Sequence, residues 1–318
     1  MLISHLSRLL AATGRQGTRA VAASIFLGLA LPPLAAAAKP LLLPCIIVLL
    51  AISFMRTDMA QMRNSRHAGL LVIAMVWIMG ILPTVLGFIV NRLLPPSDSG
   101  VMLALVMQAA APPIMSTPAF ATLLGIDATL SLAVMVLSLC VLPVTAPIMV
   151  SAFTDGALAI DGLALAVRLG LILLGTAGAG FIARAAFGGA RLARWNDHLN
   201  GLNVLLLLVL AVAFMDGVTA RFMAEPWLVL WVAGLAASVS ACGLLITLFL
   251  FRWAERGQDL MLAYAAGNRN FGILVAAAGG VLPDTTWLYV AVAQFPVYLL
   301  PYLLRPLAAR LTAKAKQD

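Results

Sequence analysis

The chain has 318 residues, of which 63% are hydrophobic and only 10% charged, and its mean hydropathy is +1.05. That balance excludes a soluble globular domain and a disordered chain and points to a polytopic, all-α membrane protein whose main surroundings are the lipid bilayer. The net charge of +8 is spread over short loops with no basic stripe carrying interleaved aromatics, so no nucleic acid is expected as a partner.

Residues Met1 to Gly17 carry Arg8 and Arg15 but no continuous apolar core followed by a cleavage-like site, which predicts a retained cytoplasmic arm. A first span is predicted over Thr18–Ala38 and, after Lys39-Pro40, a second over Leu41–Met55. A basic loop with Arg56, Arg63 and Arg66 leads to a third, Ala68–Leu94, which contains Pro83. The fourth, Gly100–Gly125, is interrupted by Pro112-Pro113 and by Pro118, and Asp127 is placed to cap the fifth, which reaches Phe153. A polar link with Asp155 and Asp161 separates two halves, 1–158 and 159–318. The second half holds spans at Gly162–Phe187, Leu199–Met215, Trp227–Phe251, Asp259–Leu282 and Asp284–Ala309. Ten transmembrane helices result, five in each half. Cys45, Cys140 and Cys242 fall in apolar runs without metal-ligand spacing and read as filler.

The loops sort by charge. With a cytoplasmic N-terminus, the inside carries Arg8, Arg15 and Arg19; Arg56, Arg63 and Arg66; Arg184, Arg191 and Arg194; Arg252 and Arg256; and Arg305, Arg310, Lys314 and Lys316. The outside carries Lys39, Arg92, Arg168 and Arg221. This bias predicts a multi-pass protein of the cytoplasmic (inner) membrane with both termini inside.

The halves echo each other. Leu50-Ala51-Ile52-Ser53-Phe54-Met55 resembles Leu210-Ala211-Val212-Ala213-Phe214-Met215, and Ile126-Asp127-Ala128-Thr129 resembles Pro283-Asp284-Thr285-Thr286, at nearly one offset. Five spans per half is an odd number, so the copies insert in opposite senses, the inverted-repeat plan of many secondary transporters. The second of these offsets maps Pro112 onto Arg269 and Pro113 onto Asn270, which makes helices 4 and 9 equivalent, discontinuous and predicted to cross.

Gly267-Asn268-Arg269-Asn270 lies in the middle of the ninth span, roughly 15 Å from either end at 1.5 Å per residue. A charge at that depth costs about 2.5 kcal/mol on the most lenient scale, so it needs a reason. One reading is an unwound helix lining a substrate cavity; the other is an arginine held by carbonyls of neighbouring helices purely to join a bundle.

Pro112-Pro113-Ile114-Met115-Ser116-Thr117, the run from Asp127 to Ser131, and Gly267-Asn268-Arg269-Asn270-Phe271-Gly272, in a ten-span order, resemble the bile acid:sodium symporter family. The resemblance implies a panel domain from helices 1, 2, 6 and 7, a core domain from helices 3–5 and 8–10, alternating access, and an organic-anion substrate. By that alignment, the glutamate and glutamine that hold sodium in coupled members correspond to Ala265 and Arg269. Thr117 and Pro118 stand for a serine and an asparagine, and Met135 stands for a hydroxyl residue, while Ser131 is kept. The expected function is therefore secondary transport of a small organic anion, with the Arg269 guanidinium substituting for the cation. Gly267, Asn268, Asn270, Pro112, Pro113, Ser116 and Thr117 are the other expected substrate-site residues. The alternative is a sodium-coupled symporter with an altered site at Gln108, Ser116, Thr117 and Ser131, sodium then being the one ion required. No other cofactor is expected.

Asn203, Gln294, Thr84 and Ser238 read as interhelical hydrogen-bonding groups or cavity lining, Asp216 as a solvated cap, and Trp77, Trp227, Trp231 and Trp287 as interfacial aromatics. An enzyme is not expected, because His5, His67 and His198 all fall in predicted cytoplasmic segments and no span carries a carboxylate pair or nucleophile–base spacing. A channel or a membrane receptor is a lower alternative.

Overall fold

The structure is a computed structural model that describes residues 17–58, 68–93, 96–123, 125–126, 128–154, 161–255, 257–280 and 282–315. The N-terminal arm, Arg63, Arg66, Asp127 and Asp155 lie outside them. Every regular element described is helical: α1 (Gly17–Ala30), α2 (Pro32–Ala38), α3 (Leu42–Arg56), α4 (Ala68–Leu93), α5 (Ser99–Ala110), α6 (Thr117–Leu123), α7 (Thr129–Phe153), α8 (Gly162–Phe187), α9 (Gly189–Arg194), α10 (Asn196–Phe214), α11 (Val218–Ala224), α12 (Pro226–Leu250), α13 (Gln258–Gly267), α14 (Phe271–Ala278) and α15 (Asp284–Ala315).

Among the described residues seven helices are long and apolar enough to cross a membrane: Pro32–Arg56, Ala68–Leu93, Thr129–Phe153, Gly162–Phe187, Asn196–Ala224, Pro226–Leu250 and Asp284–Leu304. Ala20–Ala30 and Ser99–Ala110 are shorter apolar helices. The chain is thus an α-helical, multi-pass membrane protein.

The first break in the helices differs from the expected one. The turn falls at Leu31 (φ −124°, ψ 73°), before Pro32-Pro33, and the chain runs on through Lys39-Pro40 as a single 3₁₀ turn into α3. Proline is tolerated in the first turn of a helix, where its missing amide has no intrahelical acceptor, so Pro32 and Pro40 each begin a segment rather than end one. Asp216, expected as a solvated cap, is paired with Lys39 at 2.8 Å.

The residues group into two compact units, Met1–Thr57 with Leu171–Leu230, and Asp58–Gly170 with Trp231–Asp318. In the first, glycines set the packing distances. A Cβ on Gly28 of α1 would sit 2.9 Å from Met215 Cβ and the Val212 carbonyl, and one on Gly180 of α8 would sit 2.6 Å from the Ala51 carbonyl of α3. In the second, α5 packs against α4, α7 and α15, and α13 is buried along its length. Gly267 brings α13 against α12, where a Cβ would meet the Ser240 carbonyl at 2.7 Å.

Candidate functional site

Two helices of the second unit come apart at their middles, and each break follows from local chemistry. Asp98 caps α5 by accepting the Val101 amide at 3.0 Å, and the helix stops where Pro112-Pro113 removes two successive donors. The chain extends through Ile114 and α6 begins at Thr117. On the other side α13 ends at Gly267, Asn268 is extended (φ −113°, ψ 98°), and α14 begins at Phe271.

The two extended stretches pair. Pro113 and Arg269 form an antiparallel bridge, the Ile114 amide donates to the Asn268 carbonyl at 3.0 Å, and the Asn270 amide donates to the Pro112 carbonyl at 2.8 Å. Backbone groups released by one break are thus satisfied by the other, as burial away from water demands.

Arg269 completes the crossing. Its side chain is only 2% exposed and its guanidinium points into backbone oxygens: Nε donates to Ala266 at 2.7 Å, Nη1 to Ala111 at 2.9 Å and to Ile78 at 3.3 Å, and Nη2 to Ile78 at 3.2 Å. Each carbonyl has lost its helical donor. Ala111 (φ −59°, ψ 144°) has left helical geometry, so the chain beyond it returns no helical amide to its oxygen. Ala266 would take the Asn270 amide, which has gone to Pro112 instead. Ile78 lies in a π-helical stretch of α4, Val76–Ile81, where the Leu82 amide donates five residues back to Trp77. The next donor in that register would be residue 83, which is a proline. A single cation therefore gathers three oxygens left over by three helix defects.

Polar side chains surround this centre. Ser116 Oγ and Tyr264 Oη are 2.9 Å apart, and the Tyr264 ring stacks on Phe120 with centroids 4.1 Å apart, tying α6 to α13. Asn268 donates from Nδ2 to the Val297 carbonyl of α15 at 3.1 Å. Asn268 Oδ1 and Asn270 Nδ2 are buried with no hydrogen-bond partner among the described residues. Gln108 accepts the Tyr289 hydroxyl and donates to Ser240 Oγ at 2.9 Å, joining α5, α12 and α15.

Of the residues expected at a substrate site, Pro112, Pro113, Asn268, Arg269 and Asn270 meet at the bridge, and Ser116 reaches α13 through Tyr264. Gly267 faces α12. Thr117 Oγ1 donates to Ile114 at 2.6 Å and Ser131 Oγ to Ala128 at 2.7 Å, each within its own segment, while Gln108 turns to Tyr289 and Ser240. No group of three or more His, Cys, Asp or Glu able to hold a metal ion occurs among the described residues. Of the other polar residues, Thr84 and Gln294 bond to carbonyls of their own helices, Ser238 is exposed, and Trp77 donates to Thr247 at 2.8 Å.

Among the participants that sequence reasoning missed are the Ile78 carbonyl, Tyr264 and Tyr289. The signal for the first was Pro83, five residues on, and for the tyrosines their hydroxyls inside apolar spans, where each needs a partner.

Fold and site define an integral membrane protein in which two interrupted helices pair by backbone and are closed by a buried arginine. No family model matches the chain, and no curated protein matches it.

Proposed function

We propose that the chain is a secondary transporter of a small organic anion, working by alternating access on the plan of the bile acid:sodium symporters, with Arg269 in the role of a permanently bound cation. The observation that carries this reading is the guanidinium at the bridge between α5–α6 and α13–α14, held by the carbonyls of Ala266, Ala111 and Ile78. Carbonyl oxygens converging where helices break are what a coupling ion uses in carriers of inverted-repeat design. A guanidinium keeps its charge across the biological pH range, so the negative ends of α5 and α13 stay neutralised through a whole cycle.

The role of the guanidinium is then narrower than a two-pronged grip on substrate. Four of its contacts already go to backbone, so it contributes charge, while the anion is met by the first amides of α14, to which Asn270 gives no side-chain cap, and by the polar groups of Asn270 and Ser116. In this reading the first compact unit is the panel and the second is the core. A sodium site built from Gln108, Ser116, Thr117 and Ser131 would rest on neutral oxygens alone, whereas sodium in such a setting normally has a carboxylate among its ligands. The protein is placed by this reading in the inner membrane with both ends cytoplasmic.

The test is thermal stabilisation of the purified protein across a panel of small carboxylates, followed by uptake of the best binder, labelled, into proteoliposomes. Saturable uptake accelerated by unlabelled anion on the far side supports a carrier; unitary conductance, or binding without any flux, rejects it.

A further inference from the structure

We infer that the first unit carries a binding site for an anionic phospholipid, with its headgroup against Arg191 and Arg194 of α9 and an acyl chain along the outer face of α8. This inference goes beyond the transport reading and does not depend on it.

The headgroup end is built on a short helix packed against three longer ones. Leu192 is buried against Ile52 and Met55 of α3, with Ala183 of α8 and Leu199 and Leu206 of α10 packed around it. Pinned by that residue, α9 leaves Arg191 and Arg194 on either side, exposed and with no ion-pair partner among the described residues. Two more arginines, Arg56 and Arg184, lie at the C-terminal ends of α3 and α8. Arg56 Nη2 donates to Asn196 Oδ1 at 2.9 Å and to Asn200 Oδ1 at 2.6 Å, and Arg184 Nη1 donates to the Met55 carbonyl at 3.3 Å. Among α3, α8, α9 and α10 the one acidic residue is Asp197. Trp195, directly after α9, stands edge-on to Phe187 with centroids 5.4 Å apart, and both rings remain 41% exposed. Tryptophan is enriched at the headgroup level of a bilayer, and Trp195 directly follows Arg194.

The apolar part of the ligand has its own track. Leu171, Leu174 and Ile182 are 67%, 74% and 71% exposed, and with Gly178 they follow a three- and four-residue spacing along one face of α8 toward the basic end. At Gly175 and Gly178 an added Cβ would meet nothing within 4 Å, so the face is notched between large side chains. A free phosphate would use the arginines and ignore this notch; a phospholipid uses both, and basic pockets at helix ends are the usual seat of anionic headgroups.

The experiment uses the full-length protein in detergent, titrated with phosphatidylglycerol, phosphatidylcholine or inorganic phosphate, with retained lipid counted by native mass spectrometry. Phosphatidylglycerol is expected to bind in preference to phosphatidylcholine, and inorganic phosphate is expected not to displace it. Arg191→Gln with Arg194→Gln should weaken phosphatidylglycerol binding by about 30-fold, and the matching double lysine variant should keep it within a few-fold. Gly178→Leu, which fills open space without touching a charge, should also weaken it, while Arg252→Gln, a change to an exposed arginine elsewhere, should not. Equal retention of both lipids, displacement by phosphate, or a double glutamine variant that binds like the parent protein would overturn the site.

Discussion

Arg269 holds the carbonyl of Ile78 with both of its terminal nitrogens, at 3.3 and 3.2 Å, across 191 residues of sequence. The contact exists because Pro83 supplies no amide to that oxygen in the π-helical register of α4, whose preceding bond runs from Leu82 to Trp77. A defect in one helix is thereby matched to a charge in another.

Removing the charge should show its structural weight. Arg269→Ala leaves three buried carbonyls without donors, and unfolding of the purified protein in mixed micelles should show a loss of about 3 kcal/mol. Arg269→Lys, with one ammonium in place of a planar fork, should recover only part of it.

The tie to Pro83 can be isolated by a double-mutant cycle. Pro83→Ala restores a donor for Ile78, so in the Arg269→Ala background it should return about 1 kcal/mol that it does not add to the parent protein. Additive behaviour of the two changes would remove the link.

Close approach of α13 to α12 depends on Gly267. A methyl there meets Leu244 Cβ and the Ser240 carbonyl at 2.7 Å, so Gly267→Ala should cost about 1 to 3 kcal/mol and lower the thermal midpoint. Gly170→Ala meets nothing within 4 Å and should be neutral or slightly stabilising in the same assay.

Gln108→Leu should strand the Tyr289 hydroxyl, which is buried and donates to the Gln108 side chain. The expected loss is about 1 to 3 kcal/mol. Adding Tyr289→Phe should restore much of it, because the stranded group is then gone.

Much of this centre was legible in the sequence. Pro112-Pro113 and Asn268-Arg269-Asn270 marked both helix breaks, since missing amides and competing side chains act locally. Their crossing was inferred from a shared offset, and the bridge joins Pro113 to Arg269. The direction of the guanidinium was not legible. Whether it faces a cavity or a set of carbonyls depends on which oxygens lack donors, and one of the three, at Ile78, is freed by the π-helical stretch of α4, which leaves no trace in hydropathy. The break at Leu31 was missed for a related reason: Pro32 and Pro40 both sit at helix starts, where composition alone does not tell an end from a beginning.

The claim that a built-in cation stands in for a coupling ion is tested most directly by uptake of a labelled small carboxylate into proteoliposomes, with a sodium gradient and with sodium replaced on both sides by choline. Saturable uptake at the same rate is expected in both conditions. Uptake that vanishes without sodium would contradict it.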